Sequence, residues 1–195
     1  LLQAVGEYVA RVHRIKLSGY GPLSIDATPI GLHQRWSDYI TLRLDEHIAV
    51  CHQIGAITRA EAAAIADIFT RQQDVFEGIS PVLLHGDLGS HNMLSADGAT
   101  VAALIDWEDA MSGDPVFDIA FWGTFVRESM LADFLTGYQR VTPLPDDFEV
   151  RYWLYYLRIA LSKTVHRHRF GYTDRPGRPP ASRRIQRALG RVSAC

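Results

Sequence analysis

The sequence predicts an α+β fold, mainly α-helical, built around one small β-hairpin. Three observations carry that expectation. Apolar residues recur every three or four positions through most of the chain, the period of an amphipathic helix. One turn-prone stretch, Ala96-Asp97-Gly98-Ala99, separates two short runs, and Asp-Gly suits a tight hairpin. The 195 residues are 47% hydrophobic, enough for a single core.

The elements follow in order. Leu2, Val5, Val9, Val12 and Ile15 share one helical face, so residues 2–16 are expected as a helix. Residues 18–31, rich in Gly, Pro and Ser, are expected as a loop. Residues 32–53 predict a helix with an apolar stripe of Trp36, Tyr39, Ile40, Leu44, Ile48 and Cys51. Thr58-Arg59-Ala60-Glu61 is a capping box that opens a helix running to about Phe76. Val82-Leu83-Leu84 is expected as a short buried strand, with 92–95 and 100–105 as the arms of the hairpin. Asp114 before Pro115 is an N-cap with proline at the first helical position. Helices are then expected over about 115–123, 127–139 and 146–168.

Composition narrows the function classes. The net charge is −2, but it is unevenly spread. Residues 1–166 hold twelve Lys/Arg against twenty-one Asp/Glu, while 167–195 hold eight Arg and one Asp. The division expected is therefore a body over 1–168 and a basic, Pro/Arg-rich tail over 169–195, with at most a short helix in it. The tail lacks interleaved aromatics beyond Phe170 and Tyr172, so no nucleic-acid partner is expected. No apolar run approaches the length of a membrane span, so no membrane partner is expected either. Cys51 and Cys195 form no metal-site or disulfide spacing, which makes a reducing, cytoplasmic setting the default.

The chemistry concentrates in one block. His85-Gly86-Asp87-Leu88-Gly89-Ser90-His91-Asn92 is followed, fourteen residues after Asn92, by Asp106-Trp107-Glu108. Phosphoryl transfer uses one carboxylate to accept the proton of an attacking hydroxyl, and an amide oxygen plus a second carboxylate to hold magnesium against the ATP phosphates. Asp87 is the candidate base; Asn92 and Asp106 are the candidate metal ligands. Each alone has a plainer reading. Asp87 could make an Asx-turn, Asn92 could cap a turn, and Asp106 could end a strand. Together, in this order and spacing, they match the protein-kinase catalytic loop and its metal-binding Asp.

Read with Gly113-Asp114-Pro115 and Asp118-Ile119-Ala120, this block resembles the aminoglycoside phosphotransferase family, which includes the small-molecule kinases related to choline kinase. The resemblance is strong over 81–123 and weaker over the helical remainder. It implies a protein-kinase-like C-terminal lobe, with ATP as co-substrate, Mg2+ as cofactor and a small-molecule hydroxyl acceptor. An aminoglycoside-like acceptor would be cationic, with antibiotic resistance as one outcome. It implies that Asp118 hydrogen-bonds the backbone amides of the catalytic loop. Protein kinases carry a lysine two residues after the catalytic Asp; here that residue is Gly89, which favours the small-molecule branch. The chain has two lysines, Lys16 and Lys163, and neither follows a Gly-rich turn in a strand. The chain is therefore expected to be the C-terminal lobe alone, inactive without an N-terminal partner lobe.

Other side chains carry weaker expectations. His85 is expected to brace the loop as a core histidine. His91, Glu108 and Asp109 are candidates for phosphate or substrate contact. Glu108 and Asp109, with Asp38, Asp45 and Glu46, could form an acidic wall for an aminated sugar. Tyr152, Trp153, Tyr155 and Tyr156 could form an aromatic cage for a quaternary amine, but at helical spacing they are more often core. His85, Asp87 and His91 would also suit a Zn2+ or Mn2+ hydrolase, although no further His-rich block supports it. Two alternatives complete the field: a choline- or sugar-kinase-like enzyme, and a catalytically silent lobe that binds a ligand or partner.

Overall fold

The computed structural model describes residues 1–172 and 180–192. The helices are α1 (Leu2–Val12), α2 (Trp36–Ile40), α3 (Leu44–Gln53), α4 (Arg59–Arg71), α5 (Pro115–Gly123), α6 (Glu128–Tyr138), α7 (Phe148–Arg169) and α8 (Ala181–Val192). The strands are β1 (Tyr20–Leu23), β2 (Gly31–His33), β3 (Val82–Leu84), β4 (Met93–Leu94), β5 (Ala103–Leu104) and β6 (Met111–Gly113). Two antiparallel sheets result: a four-stranded one in the order β2-β1-β6-β3, and the two-stranded hairpin β4-β5. The mainly helical α+β class expected from the sequence is the one observed.

The centre of the molecule is α7. Its residues from Tyr152 to Leu157 are all buried, because α5 and α3 pack against it and α8 closes another side. Burial on every face explains why its apolar run shows no clean stripe. Tyr152, Trp153, Tyr155 and Tyr156 therefore belong to the core and form no cage. At the other end, α1 crosses α6 with almost no room. A Cβ on Gly6 would fall 2.0 Å from the Phe134 carbonyl oxygen, and one on Gly137 would fall 1.9 Å from that of Gln3.

Several expectations change. Residues 18–31 are not all loop: β1 and β2 lie within or beside them, and β1 pairs with β6, some ninety residues on. The helix expected over 32–53 is broken. Arg43 stands in the left-handed region at φ 57° between α2 and α3. Arg158 of α7 fixes the break, donating from Nε to the Ile40 carbonyl (2.7 Å) and from Nη2 to that of Leu42 (2.7 Å). The first helix stops at Val12, and Lys16 makes a bridge with Val82 instead. The helix opened by Thr58 has the expected capping box but ends at Arg71, followed by a 3-10 turn over Gln73–Phe76. Within the basic segment, the helix α8 buries Ile185, Ala188 and Val192 and packs on α7. Pro176, Gly177, Pro179 and Cys195 lie outside the described residues. Among the described residues, no helix is long and apolar enough to cross a membrane.

Candidate active site

Strand β3 delivers the chain to the loop that begins at His85. Its other edge is held by β6, with Leu84 opposite Met111. The turn then needs Gly86. This residue has φ +82°, and a Cβ there would fall 2.0 Å from the Asp109 carbonyl oxygen. A side chain would push the 85–92 loop away from the 106–110 loop.

Asp118, in the first turn of α5, clamps the loop from beneath. Its Oδ2 accepts from the His85 amide (2.6 Å) and its Oδ1 from the Gly86 amide (3.0 Å). The carboxylate is buried, and His13 Nε2 lies 3.3 Å from Oδ2. A carboxylate only accepts, so His13 donates from Nε2, and Tyr138 Oη donates to its Nδ1 (2.9 Å). One network thus joins α1, α6 and α5 to the loop.

Asp87 is half-buried. Asn92 lies in a 3-10 turn over Ser90–Asn92 and is itself buried. Its Nδ2 donates to the Asp87 carbonyl oxygen (3.0 Å) and to Asp87 Oδ2 (3.2 Å). Both partners are acceptors, which fixes the amide's orientation and leaves Oδ1 uncommitted. His91 Nε2 approaches the same Asp87 Oδ2 at 3.2 Å, so His91 contacts the candidate base itself. His85 links this loop to the next: its Nε2 donates to the Ile105 carbonyl (2.9 Å), and its ring lies 4.7 Å from that of Trp107.

The β4-β5 register brings Asp106 beside Asn92. Met93 pairs with Leu104, and the Ile105 amide donates to the Asn92 carbonyl (3.0 Å). Asp106 is the next residue. It is exposed and turns the chain with φ 64°, a conformation that Asp tolerates better than most residues. Asn92 and Asp106 offer hard oxygens, the donor chemistry that suits Mg2+. Among the described residues, no group of three or more His, Cys, Asp and Glu could hold a metal ion, so the geometry gives no support to a His85, Asp87 and His91 hydrolase centre.

Beside Asp87 opens a cleft of about 670 Å3, floored by α7 and walled by the α2–α3 turn. Its lining includes Asp87 and Asp109 but not Glu108, Asp38, Asp45 or Glu46. The acidic wall does not form. Asp38 pairs with Arg35, and Glu46 pairs with both Arg43 and Arg169. The cleft instead carries Arg43, Arg158, Lys163 and Arg169. Sequence reasoning missed Lys163 as a site residue. Its Nζ lies over Phe121 and Phe125 (3.7 and 3.6 Å to the ring centroids) and bonds Thr124 Oγ1 at 3.0 Å. Burial pushes its pKa down to about 7; the field of Arg184 adds to that and the Asp87 carboxylate opposes it. No local motif marks the residue, because its partners stand about forty positions away.

A helical body that presents a clamped Asp-to-Asn loop and a hairpin ending in Asp has the form of a protein-kinase-like C-terminal lobe. A profile of the phosphotransferase enzyme family matches residues 1–154, and the chain belongs to that family. Hygromycin-B 4-O-kinase of Escherichia coli is 30% identical over 130 residues, covering 63% of this chain and 37% of that protein. A thermostable mutant of aminoglycoside phosphotransferase APH(4)-Ia, solved in a ternary complex with AMP-PNP and hygromycin B, superposes with a TM-score of 0.63 at 26% identity. That match covers 99% of this chain and 62% of the solved one. A choline kinase of Streptococcus pneumoniae shares the fold with a TM-score of 0.62 at 17% identity, covering all of this chain and 63% of its own. The chain thus spans less than two thirds of the proteins it resembles.

Proposed function

We propose that this chain carries the catalytic loop of an ATP-dependent phosphotransferase acting on a hydroxyl of a small molecule. The observation that supports it most is the Asn92 amide locked onto Asp87, on a loop clamped by Asp118 and tied through Ile105 to Asp106. Asp87 accepts the proton as the acceptor oxygen bonds to the γ-phosphorus. The bond from that phosphorus to the bridging oxygen breaks, and ADP leaves. A loose transition state makes Asp87 chiefly an orienting group for the hydroxyl. Asn92 Oδ1 and the Asp106 carboxylate would hold Mg2+, which supplies charge neutralisation at the phosphates when bound. His91, beside Asp87, is placed to hold its carboxylate in orientation. Positioning and electrostatics supply most of such catalysis, so the small number of reactive groups is sufficient.

The relatives include kinases of aminoglycosides, and an amine on the acceptor would meet Asp87 and Asp109, the carboxylates that line the cleft among the described residues. The test is incubation of the protein, supplied with an N-terminal kinase lobe, with ATP, Mg2+ and a panel of aminocyclitols, choline, neutral sugars and sugar acids, followed by detection of the phosphorylated product. Transfer to one class is expected, reduced by roughly 1,000-fold or more in Asp87→Asn, in line with loss of a group that acts in the transition state. Transfer that persists in Asp87→Asn would remove Asp87 from the chemistry. Nucleotide binding without transfer to any acceptor would favour the silent lobe.

A further inference from the structure

The cleft beside Asp87 separates its charges. Asp87 and Asp109 lie on the loop side; Arg158, Lys163 and Arg169 lie on α7, with Arg43 at the α2–α3 turn facing them. Two of these cations, Arg43 and Arg169, share the single carboxylate of Glu46. Arg158 and Lys163 have no carboxylate within ion-pairing distance among the described residues; their partners are carbonyls, His47, Thr124 and aromatic rings. Arg158 commits three of its five N–H donors, to Ile40, Leu42 and His47, which leaves two. His47 takes the Arg158 hydrogen bond on Nδ1 (3.0 Å) and must be neutral to do so. It adds no negative charge.

A half-buried cation without a counter-ion costs stability, and packing offers many cheaper residues for the place of Lys163. Phe121 and Phe125 hold the Lys163 ammonium by cation–π contact, but they do not neutralise it. The cleft also opens on the face of Asp87 and not on Asn92 or Asp106, neither of which lines it. It therefore lies on the acceptor side of the loop, away from the residues suited to the nucleotide's metal.

Resting on the phosphotransferase reading, we infer that the acceptor carries an anionic group, a carboxylate or a phosphate, which docks on Lys163 and Arg158 while its hydroxyl meets Asp87. A purely cationic acceptor would place ammonium groups against this wall. An acceptor with one amine and one acid could span it, its amine directed to Asp109. The positions of the cations thus act as a specificity filter on the same cleft.

The chain's two lysines make a direct test possible. Lys16 is exposed and serves as the internal control. The protein is prepared with 13C-labelled lysine, and the ε-CH2 signals are followed through a pH titration at fixed ionic strength. Galacturonate, a sugar phosphate, galactose, glucosamine and MgATP are each added in turn. The acid or the phosphate should raise the Lys163 titration midpoint by about one pH unit, as a nearby anion does, and leave Lys16 unmoved. Which of the two does so identifies the anion. Lys163→Met should then lose at least tenfold in affinity for that ligand while remaining folded. If glucosamine binds and the acids do not, if MgATP alone moves Lys163, or if no anion moves it at tens of millimolar, the inference is overturned. The titration does not require turnover, so its failure leaves the phosphotransferase reading standing. Absence of turnover, conversely, leaves the anion site standing.

Discussion

Asp87 and Asp118 are aspartates about thirty residues apart that meet at one loop, and their surroundings give them opposite work. Asp118 is buried and accepts two backbone amides. Removing it leaves buried N–H groups without a partner. Asp118→Ala is therefore expected to cost roughly 2–4 kcal/mol of stability, measured by urea denaturation. Asp87 is half-exposed, and its carboxylate accepts only from the side chains of Asn92 and His91. Asp87→Asn should change stability by about 1 kcal/mol or less, while under the proposed function it lowers transfer by roughly 1,000-fold or more. Lys163 gives a third contrast at this scale. In the fold its amine titrates near pH 7, against 10.5 for the ordinary side chain, with burial as the main cause. A base whose pKa is lowered on folding stays neutral where the unfolded chain is already charged. The fold accordingly loses stability as pH falls from 10.5 to about 7, and loses no more below that. Lys163→Met should be more stable than the parent at pH 7 by a few kcal/mol, and the gain should shrink toward zero at pH 10.5. An equal gain at both pH values would show that the amine's charge is not the cause.

At the scale of elements, the close crossing of α1 and α6 allows a sharp test. Gly137 has backbone, not a flexible side chain, against the position of its missing Cβ. Gly137→Ala should lower stability by about 1–3 kcal/mol through enforced separation of the helices, seen as a drop in thermal midpoint by circular dichroism. A neutral or raised midpoint would mean that the crossing is looser than described. The same scale shows what the sequence could disclose. The capping box at Thr58, the strand Val82–Leu84 and the helix opened by Asp114-Pro115 were legible because their signals are local. Strand β1 was not. Its pairing with β6 spans some ninety residues, and its Gly-Pro composition reads as loop. The break at Arg43 was hidden for a related reason: Thr41-Leu42-Arg43 has no breaker, and the restraint comes from Arg158 on α7. In the site, Asp87, Asn92 and Asp106 stood out by spacing, and Asp118 through the family resemblance. Lys163 and Arg158 did not, because they reach the cleft from a distant helix.

For the whole molecule, the helices serve to hold two loops in register. The β4-β5 ladder sets Asp106 beside Asn92, the His85 bond to Ile105 ties the loops together, and Asp118 anchors the pair to α5. The central claim is that Asn92 and Asp106 form one divalent-cation site next to Asp87. The most direct measurement adds Mn2+ to the 15N-labelled protein and maps paramagnetic broadening of its amides. Broadening should be strongest at residues 91–93 and 105–107, and it should disappear in both Asn92→Ala and Asp106→Ala. Broadening centred on other carboxylates, such as Asp146 and Asp147, or broadening indifferent to both substitutions, would contradict the claim.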